Sequence, residues 1–114
     1  MPHRVKILII EPDDFLRELL GNLLHKKDFY IINGSSIERG VEQAGDNHID
    51  RVIVGSSCED FNGKQSIHYL QKHFNKPRIF LINDSEKSVA YLPKQDQILV
   101  KHLSVEQIVN RISE

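Results

Sequence analysis

The sequence predicts an α/β fold in which helices cover both faces of a parallel sheet. Five short runs rich in isoleucine, leucine and valine recur along 114 residues, with helical patterns between them. Most runs are continuously apolar, which is typical of strands buried on both faces. Strands that alternate with helices imply right-handed crossovers and therefore a parallel sheet. The length fits a single domain, which we place at residues 1–114.

The five predicted strands also suggest a topology. They are Val5 to Ile10, Phe29 to Ile32, Arg51 to Gly55, Arg78 to Ile82 and Gln97 to Val100. With five strands we expect the flavodoxin-like order 2-1-3-4-5. In that order a crevice lies beyond the carboxyl ends of the first and third strands, so Glu11 to Asp14 should face Gly55 to Ser57.

Leucine spacing predicts the first helix most clearly. It begins after the Asp13–Asp14 pair, because carboxylates suit a helix N-terminus. Its apolar residues lie on one helix face: Leu16, Leu19, Leu20, Leu23 and Leu24. A third helix is predicted from Lys64 to Phe74, and it ends there because the residue before Pro77 is disfavoured in helical geometry.

Two capping-box patterns predict where the second and last helices begin. Ser35 with Glu38 opens the second helix, and Ser104 with Gln107 opens the last. Gly40 weakens the second helix.

A fourth helix, between the fourth and fifth strands, should be short or irregular. The segment from Asn83 to Asp96 has an apolar cluster only at Val89 to Leu92, and Pro93 would end a helix there. We predict one to two helical turns and a mobile face.

Charge and composition disfavour several kinds of partner. Lys plus Arg number 15 and Asp plus Glu 16, so the net charge of −1 provides no field that favours nucleic acid. No apolar run approaches the roughly 20 residues of a membrane span. The single cysteine excludes an internal disulfide, and the start of the chain lacks a signal peptide. We therefore expect a cytoplasmic protein that does not contact membranes or, through this domain, nucleic acid.

The turn after the first strand does not fit the common phosphate-binding motifs. "IIEPDDFLREL" lacks the glycine-rich turn of a dinucleotide site, and it lacks the glycines and Lys-Ser or Lys-Thr pair of a P-loop. Its acids Glu11, Asp13 and Asp14 would also repel the phosphate of FMN. We therefore predict no cofactor.

The loop after the third strand offers only weak nucleophiles. "VGSSCED" departs from the Gly-x-Ser-x-Gly elbow, and the neighbouring acids Glu59 and Asp60 disfavour a thiolate at Cys58. We interpret Ser56, Ser57 and Cys58 as ordinary loop residues and predict no catalytic residue, so the protein is not expected to be an enzyme. A flavodoxin-like enzyme that uses one of these three side chains stays as an alternative.

A cation site is the other chemistry that the crevice acids suggest. Glu11, Asp13 and Asp14 lie within one turn, and converging carboxylates can hold Mg²⁺. We favour the simpler interpretation that Asp13 and Asp14 cap the first helix. The six histidines lack the spacing of three or four residues that is typical of helical metal sites, so we place them on the surface and predict no metal.

Four stretches together resemble the response-regulator receiver domain. "VKILIIEPDDFLRELLGNLL" is similar to its first strand and helix, and "DRVIVGSSCEDFNG" to its third strand and the loop that follows. "KPRIFLIND" resembles the fourth strand, and "QILVKHLSVEQIVNRI" the fifth strand, its lysine and the last helix. The resemblance extends from about Val5 to Ile112 and implies the same flavodoxin-like fold.

The resemblance also indicates that the phosphorylation pocket is degenerate. The family's phosphoacceptor aspartate falls on Gly55, its acidic Mg²⁺ pair on Glu11 and Pro12, its hydroxyl residue on Ile82 and its aromatic switch on Ile98. Its lysine alone is kept, as Lys101, which we predict to pair with Glu11 or Asp13 across the crevice. Phosphoryl transfer needs a carboxylate nucleophile and a bridging metal. The hypothesis that follows is a pseudo-receiver that acts by binding a protein partner.

Partners of the family usually bind the surface of the fourth helix, fifth strand and fifth helix. In this sequence that surface includes Tyr91, Lys94, His102, Gln107 and Arg111. The expected partner is a signalling protein or an output domain, and a homodimer also stays open. A second alternative keeps phosphorylation but moves it to a substitute acid, Asp13 or Asp60.

Overall fold

In the computed structural model, which describes residues 4–85 and 87–114, five strands and four α-helices alternate along most of the chain. They are β1 (Lys6–Ile10), α1 (Asp14–Lys26), β2 (Tyr30–Gly34), α2 (Ile37–Ala44), β3 (Arg51–Gly55), α3 (Lys64–His73), β4 (Arg78–Asn83), β5 (Gln97–Leu99) and α4 (Val105–Ser113). All strand pairings are parallel, in the order β2-β1-β3-β4-β5. The predicted flavodoxin-like fold and strand order are therefore confirmed.

Two apolar cores lie on opposite faces of the sheet, because alternate side chains of a strand point to opposite sides. Ile7 and Ile9 of β1 pack with α1 and α4, whereas Leu8 and Ile10 pack with α2 and α3. All four side chains are fully buried. This two-sided burial is the physical reason that the strand sequences are continuous apolar runs rather than alternating ones.

Most helix boundaries agree with the predictions. Asp13 is the N-cap of α1, and its carboxylate accepts a hydrogen bond from the Leu16 amide at 3.0 Å. The capping box of Ser104 and Gln107 is present at the start of α4. Helix α3 ends one residue earlier than predicted, at His73, ahead of Pro77.

The predicted start of α2 is wrong by one residue. Ser36, not Ser35, is the N-cap, and the helix begins at Ile37. Ile37 and Glu38 instead donate their amides to the two carboxylate oxygens of Asp60, each at 3.0 Å. Because Asp60 lies more than 20 residues away in sequence, the local pattern could not reveal that this acid caps the helix.

Gly40 has a packing role that offsets its low helix propensity. A Cβ atom at this position would lie 2.7 Å from Cγ1 of Ile10, and a Cβ at Gly34 would overlap the backbone of Gly40. The two glycines therefore allow α2 to approach the sheet closely.

Among the described residues between β4 and β5, which exclude residue 86, there is one helical turn and no α-helix. That turn is a 3₁₀ helix at Lys94–Asp96, so it follows Pro93 rather than preceding it as predicted. Proline suits this position because its fixed φ is compatible with entry into a helix. The buried Gln97 side chain holds the preceding chain by accepting from the Val89 amide and donating to the Val89 and Leu92 carbonyls.

Candidate functional site

The candidate site is the crevice at the carboxyl ends of β1, β3 and β4. It is formed by Glu11, Pro12, Gly55, Ser56 and Asp84, and we call it the crevice. Parallel strands bring these chain segments to the same edge of the sheet, which is where open α/β folds bind ligands. Glu11 to Asp14 were predicted to face Gly55 to Ser57, and the structure places Glu11 and Pro12 beside Gly55.

The Glu11 carboxylate occupies the space beside Gly55. A Cβ atom built on Gly55 would overlap Oε1 of Glu11 and lie 3.2 Å from its carboxyl carbon. Pro12 is close as well, with its Cδ 3.6 Å from the same position. A side chain at residue 55 and the present position of Glu11 are thus mutually exclusive.

Glu11 is a buried acid held by backbone groups. Only 3% of its surface is exposed, and its Oε2 accepts a 2.8 Å hydrogen bond from the Asp13 amide. The Arg17 guanidinium donates to the Glu11 carbonyl at 2.7 Å and pairs with Asp14. Burial raises the pKa of the Glu11 carboxyl, and the nearby charge of Asp13 also favours the protonated form.

Ile82 and Ile98 are placed in the apolar core rather than at the crevice surface. They are neighbours in the β4–β5 register, and both pack on the side of α1 and α4. Neither provides a hydroxyl or an aromatic ring. The polar groups at the end of β4 come instead from Asn83 and Asp84, which the sequence reasoning missed although they directly follow a predicted strand.

Asp84 extends the acidic character of the crevice. Its carboxylate accepts a hydrogen bond from the Ser56 hydroxyl at 2.8 Å, and its charge contributes to the raised pKa of Glu11. Within residues 4–85 and 87–114, no group of three or more acidic, histidine or cysteine side chains is arranged to hold a metal ion.

Lys101 lies on a 3₁₀ turn, Val100–His102, directly after β5, and its side chain is exposed. The group that the structure places against Gly55 is Glu11 itself. A pairing of Lys101 with Glu11 or Asp13 stays a prediction.

Asp13 and Asp60, the substitute acids considered for phosphorylation, are both helix caps. Asp13 accepts from Leu16 at the start of α1, and Asp60 accepts from two amides at the start of α2. Modification of either carboxylate would compete with these capping hydrogen bonds.

Among the hydrogen bonds of the described residues, none joins Ser56, Ser57 or Cys58 to a histidine or lysine side chain that could act as the base of a catalytic pair. Cys58 is buried, and burial raises the pKa of its thiol to about 11, with Glu11 and Asp60 acting in the same direction. A protonated, buried thiol is a poor nucleophile. Ser56 donates to the carboxylate of Asp84 at 2.8 Å, and Ser57 is exposed.

The predicted partner face is only partly assembled. Lys94, His102 and Arg111 line one cavity of about 380 Å³ beside β5, together with Leu99 and Leu103. We call this cavity the β5 groove. Tyr91 instead packs against the core under α2 and α3, and the Gln107 side chain is used in the capping box.

Five of the six histidines lie among the described residues, and all five are exposed as predicted. His3 lies outside the described residues.

No helix in residues 4–85 and 87–114 has the length and apolar character needed to cross a bilayer.

Comparison with known proteins places the fold among response-regulator receiver domains. A two-component response regulator from Clostridium difficile superposes with a TM-score of 0.78 at 18% identity, covering 96% of this chain and 93% of that chain. A Burkholderia pseudomallei response regulator, solved with a phosphorylated aspartic acid and a calcium ion, gives 0.74 at 18% identity, covering 95% of this chain and 66% of that chain. These likenesses establish the receiver fold.

Comparison of sequences also finds a regulatory protein. The transcriptional regulatory protein SrrA of Staphylococcus aureus is 26% identical over 110 residues, which cover 94% of this chain and 46% of the relative. This chain therefore spans about half the length of that relative. No family model matches the sequence.

Proposed function

We propose that the protein is a signalling module of the two-component type that works without phosphorylation, through contact with a partner protein. The observation that carries this proposal is the Glu11 carboxylate packed against Gly55. Phosphoryl transfer to a receiver requires a carboxylate at residue 55 and a metal that bridges it to the phosphate. Gly55 has no side chain, and the space that one would use is filled.

The surrounding residues support the same interpretation. Pro12 replaces one of the two acids that the resemblance assigns to Mg²⁺, and Ile82 replaces the hydroxyl residue. The substitute acids Asp13 and Asp60 are committed to helix caps. With Gly55 and Ile98, these are four departures from the pattern of the family, and together they remove the nucleophile, one metal ligand, the hydroxyl residue and the aromatic switch that the resemblance assigns.

The proposed mode of action is protein binding in the cytoplasm, to a signalling protein or an output domain. The net charge of −1 disfavours nucleic acid as the direct partner of this domain. The relatives are receiver domains of signalling proteins rather than typical enzymes, which is consistent with a binding role.

The direct test is exposure of the protein to acetyl phosphate with Mg²⁺, followed by intact-mass measurement. We expect no mass gain, and no metal-dependent change in amide NMR spectra on adding beryllofluoride. A stable phosphoryl group on any acid would overturn the proposal, and its location on Asp13, Asp60 or Asp84 would identify a substitute phosphoacceptor.

The control is a variant with Glu11→Asp, Pro12→Asp and Gly55→Asp, which restores the three acids that the resemblance assigns to the pocket. Three convergent carboxylates should bind Mg²⁺ more tightly than the wild-type crevice does. A titration of both proteins with Mg²⁺, followed by NMR, measures this difference.

A further inference from the structure

The sequence contains two Asn-Gly pairs, and the structure places them in different environments. Asn33–Gly34 is the end of β2, whereas Asn62–Gly63 lies in the loop immediately before α3. Both asparagines are exposed, while Gly34 is buried and Gly63 is half-buried. The two pairs therefore allow a comparison of any reaction that depends on the backbone of the glycine.

An asparagine that precedes a glycine can lose ammonia through attack by the backbone. The glycine amide nitrogen gives its proton to solvent base and bonds to Cγ of the asparagine. The bond from Cγ to Nδ2 then breaks, and Nδ2 leaves as ammonia after it takes a proton from water. Water opens the resulting succinimide at either carbonyl carbon, which yields aspartate or isoaspartate. Glycine favours this reaction because it has no Cβ beside the attacking nitrogen and because its backbone adopts many conformations.

The Gly63 amide is available for this attack. Gly63 has a φ of +55°, a left-handed conformation that glycine adopts without strain. Among the hydrogen bonds within residues 4–85 and 87–114, none has the Gly63 amide as its donor. The nearest atom to a Cβ built there is the Tyr91 hydroxyl at 3.7 Å, so the backbone has room to move.

The bonds that hold Asn62 are local. Its backbone amide donates to Oγ of Ser66, and its Nδ2 donates to Oε1 of Gln65, each at 2.6 Å. Both partners lie within four residues, and the Gln65 side chain is exposed. A local opening of the loop is therefore enough to bring the Gly63 nitrogen to Cγ of Asn62, with the sheet intact.

The other pair is protected by the sheet. The Tyr30 amide donates to the Val5 carbonyl and the Glu11 amide donates to the Gly34 carbonyl, each at 3.0 Å. Even-numbered residues of β2 therefore face β1, which places the Gly34 amide nitrogen in the ladder between these strands. A Cβ at Gly34 would also overlap the backbone of Gly40, so there is little free space. Attack by the Gly34 nitrogen requires that β2 separates from β1.

We propose that Asn62 is a site of spontaneous deamidation, at which water replaces ammonia and leaves a carboxylate ahead of α3. Helix α3 begins with Lys64, has no acidic residue in its first turn and has no side-chain cap. A negative charge is favourable there because the N-terminus of a helix carries partial positive charge. The modification therefore adds one negative charge to the loop and stabilises the first turn of α3.

The test is incubation of the folded protein in mildly alkaline buffer, with trypsin digestion and mass spectrometry at intervals. Trypsin places the two pairs in separate peptides, residues 28–39 and 52–64, and each contains one asparagine and no glutamine. A mass gain of about 1 Da, the difference between an amide and a carboxyl group, therefore identifies the residue that reacted. A sample digested before incubation corrects for deamidation during digestion.

We expect peptide 52–64 to gain mass at least about tenfold faster than peptide 28–39, since the reaction at Asn33 requires separation of two strands. In concentrated urea the two rates should agree within about threefold, because both pairs are then free. Equal rates in the folded protein would overturn the proposal. So would an unreactive peptide 52–64 under conditions in which the unfolded chain reacts.

Matched variants test the local contacts. Gln65→Ala removes the hydrogen bond to Nδ2 and should speed the reaction at Asn62 about twofold or more, whereas Gln43→Ala, exposed in α2, should leave the rate unchanged. An equal rate in both variants would contradict the role of the Gln65 bond.

The effect of the product is tested with Asn62→Asp. This variant should slow amide exchange at residues 65–67 by about twofold or more, since it places a carboxylate near the start of α3. Asn22→Asp adds the same charge at an exposed position of α1 and should leave that exchange unchanged. Equal exchange in the two variants would refute the stabilisation of α3.

Discussion

The contact between Glu11 and Gly55 predicts a large energetic coupling between these two positions. In Gly55→Ala, the new Cβ would overlap Oε1 of Glu11, so the carboxylate has to move by on the order of 1 Å. That movement breaks or strains the 2.8 Å hydrogen bond from the Asp13 amide. A hydrogen bond to a charged group is worth about 1.5–3 kcal/mol.

The effect of Gly55→Ala on the backbone contributes to the free energy of unfolding with the opposite sign. Replacement of glycine by alanine in a strand stabilises by roughly 0.5–1 kcal/mol, and residue 55 needs no left-handed conformation. We therefore expect Gly55→Ala to destabilise the wild-type protein by about 1–2 kcal/mol. In a Glu11→Ala background the nearest remaining atom is Pro12 Cδ at 3.6 Å, an ordinary contact. The same substitution should there be neutral or stabilising.

Urea unfolding of the wild type, both single variants and the double variant completes the thermodynamic cycle. The expected coupling is about 1.5–3 kcal/mol. Gly21→Ala is the control, since a Cβ at this glycine of α1 would meet only side-chain atoms at 3.6 Å or more. Its effect should be the same in both backgrounds. A coupling below about 0.5 kcal/mol for residue 55 would refute the proposed contact.

Three further predictions concern buried polar groups. Burial raises the pKa of the Glu11 carboxyl above its ordinary 4.5. The stability that the protonated carboxyl contributes is therefore lost as the pH rises through the pKa of the folded state. The free energy of unfolding of Glu11→Gln, measured in urea, should increase relative to that of the wild type between about pH 4 and about pH 7. Gln97→Met removes three hydrogen bonds and should cost about 2 kcal/mol, with faster amide exchange at Val89. Cys58, whose pKa rises from 9.0 to about 11, should react with a disulfide reagent at about pH 8 about 100-fold more slowly than in the unfolded chain.

Each of these three predictions would be contradicted by a specific result. A stability difference between Glu11→Gln and wild type that does not change with pH would show that the carboxyl titrates normally. For Gln97, the exposed Gln95→Met is the control, and an equal effect of both variants would contradict the role of the buried amide. Rapid modification of native Cys58 would mean that its thiol is accessible and ionised.

The sequence alone determined the layers and order of the fold. Continuous apolar runs mark strands buried on both sides, and helix periodicity with local caps marks most of the helices between them. Asp13 and the Ser104–Gln107 box were readable because each acts on an amide within three residues. The glycine at the end of the third strand, Gly55, was also readable from the sequence, because it directly follows the apolar run of β3.

Only the tertiary structure decided how the space beside Gly55 is filled. The position of the Glu11 carboxylate over Gly55, the capping of α2 by Asp60 and the use of Gln97 to anchor residues 89–92 all depend on single polar side chains that meet after folding. Residue periodicity carries no information about such contacts, because a polar side chain can satisfy its hydrogen bonds in many ways until the surrounding elements are packed. The sequence showed that residue 55 has no side chain, and the packing of β1 against β3 determined that the Glu11 carboxylate lies beside it.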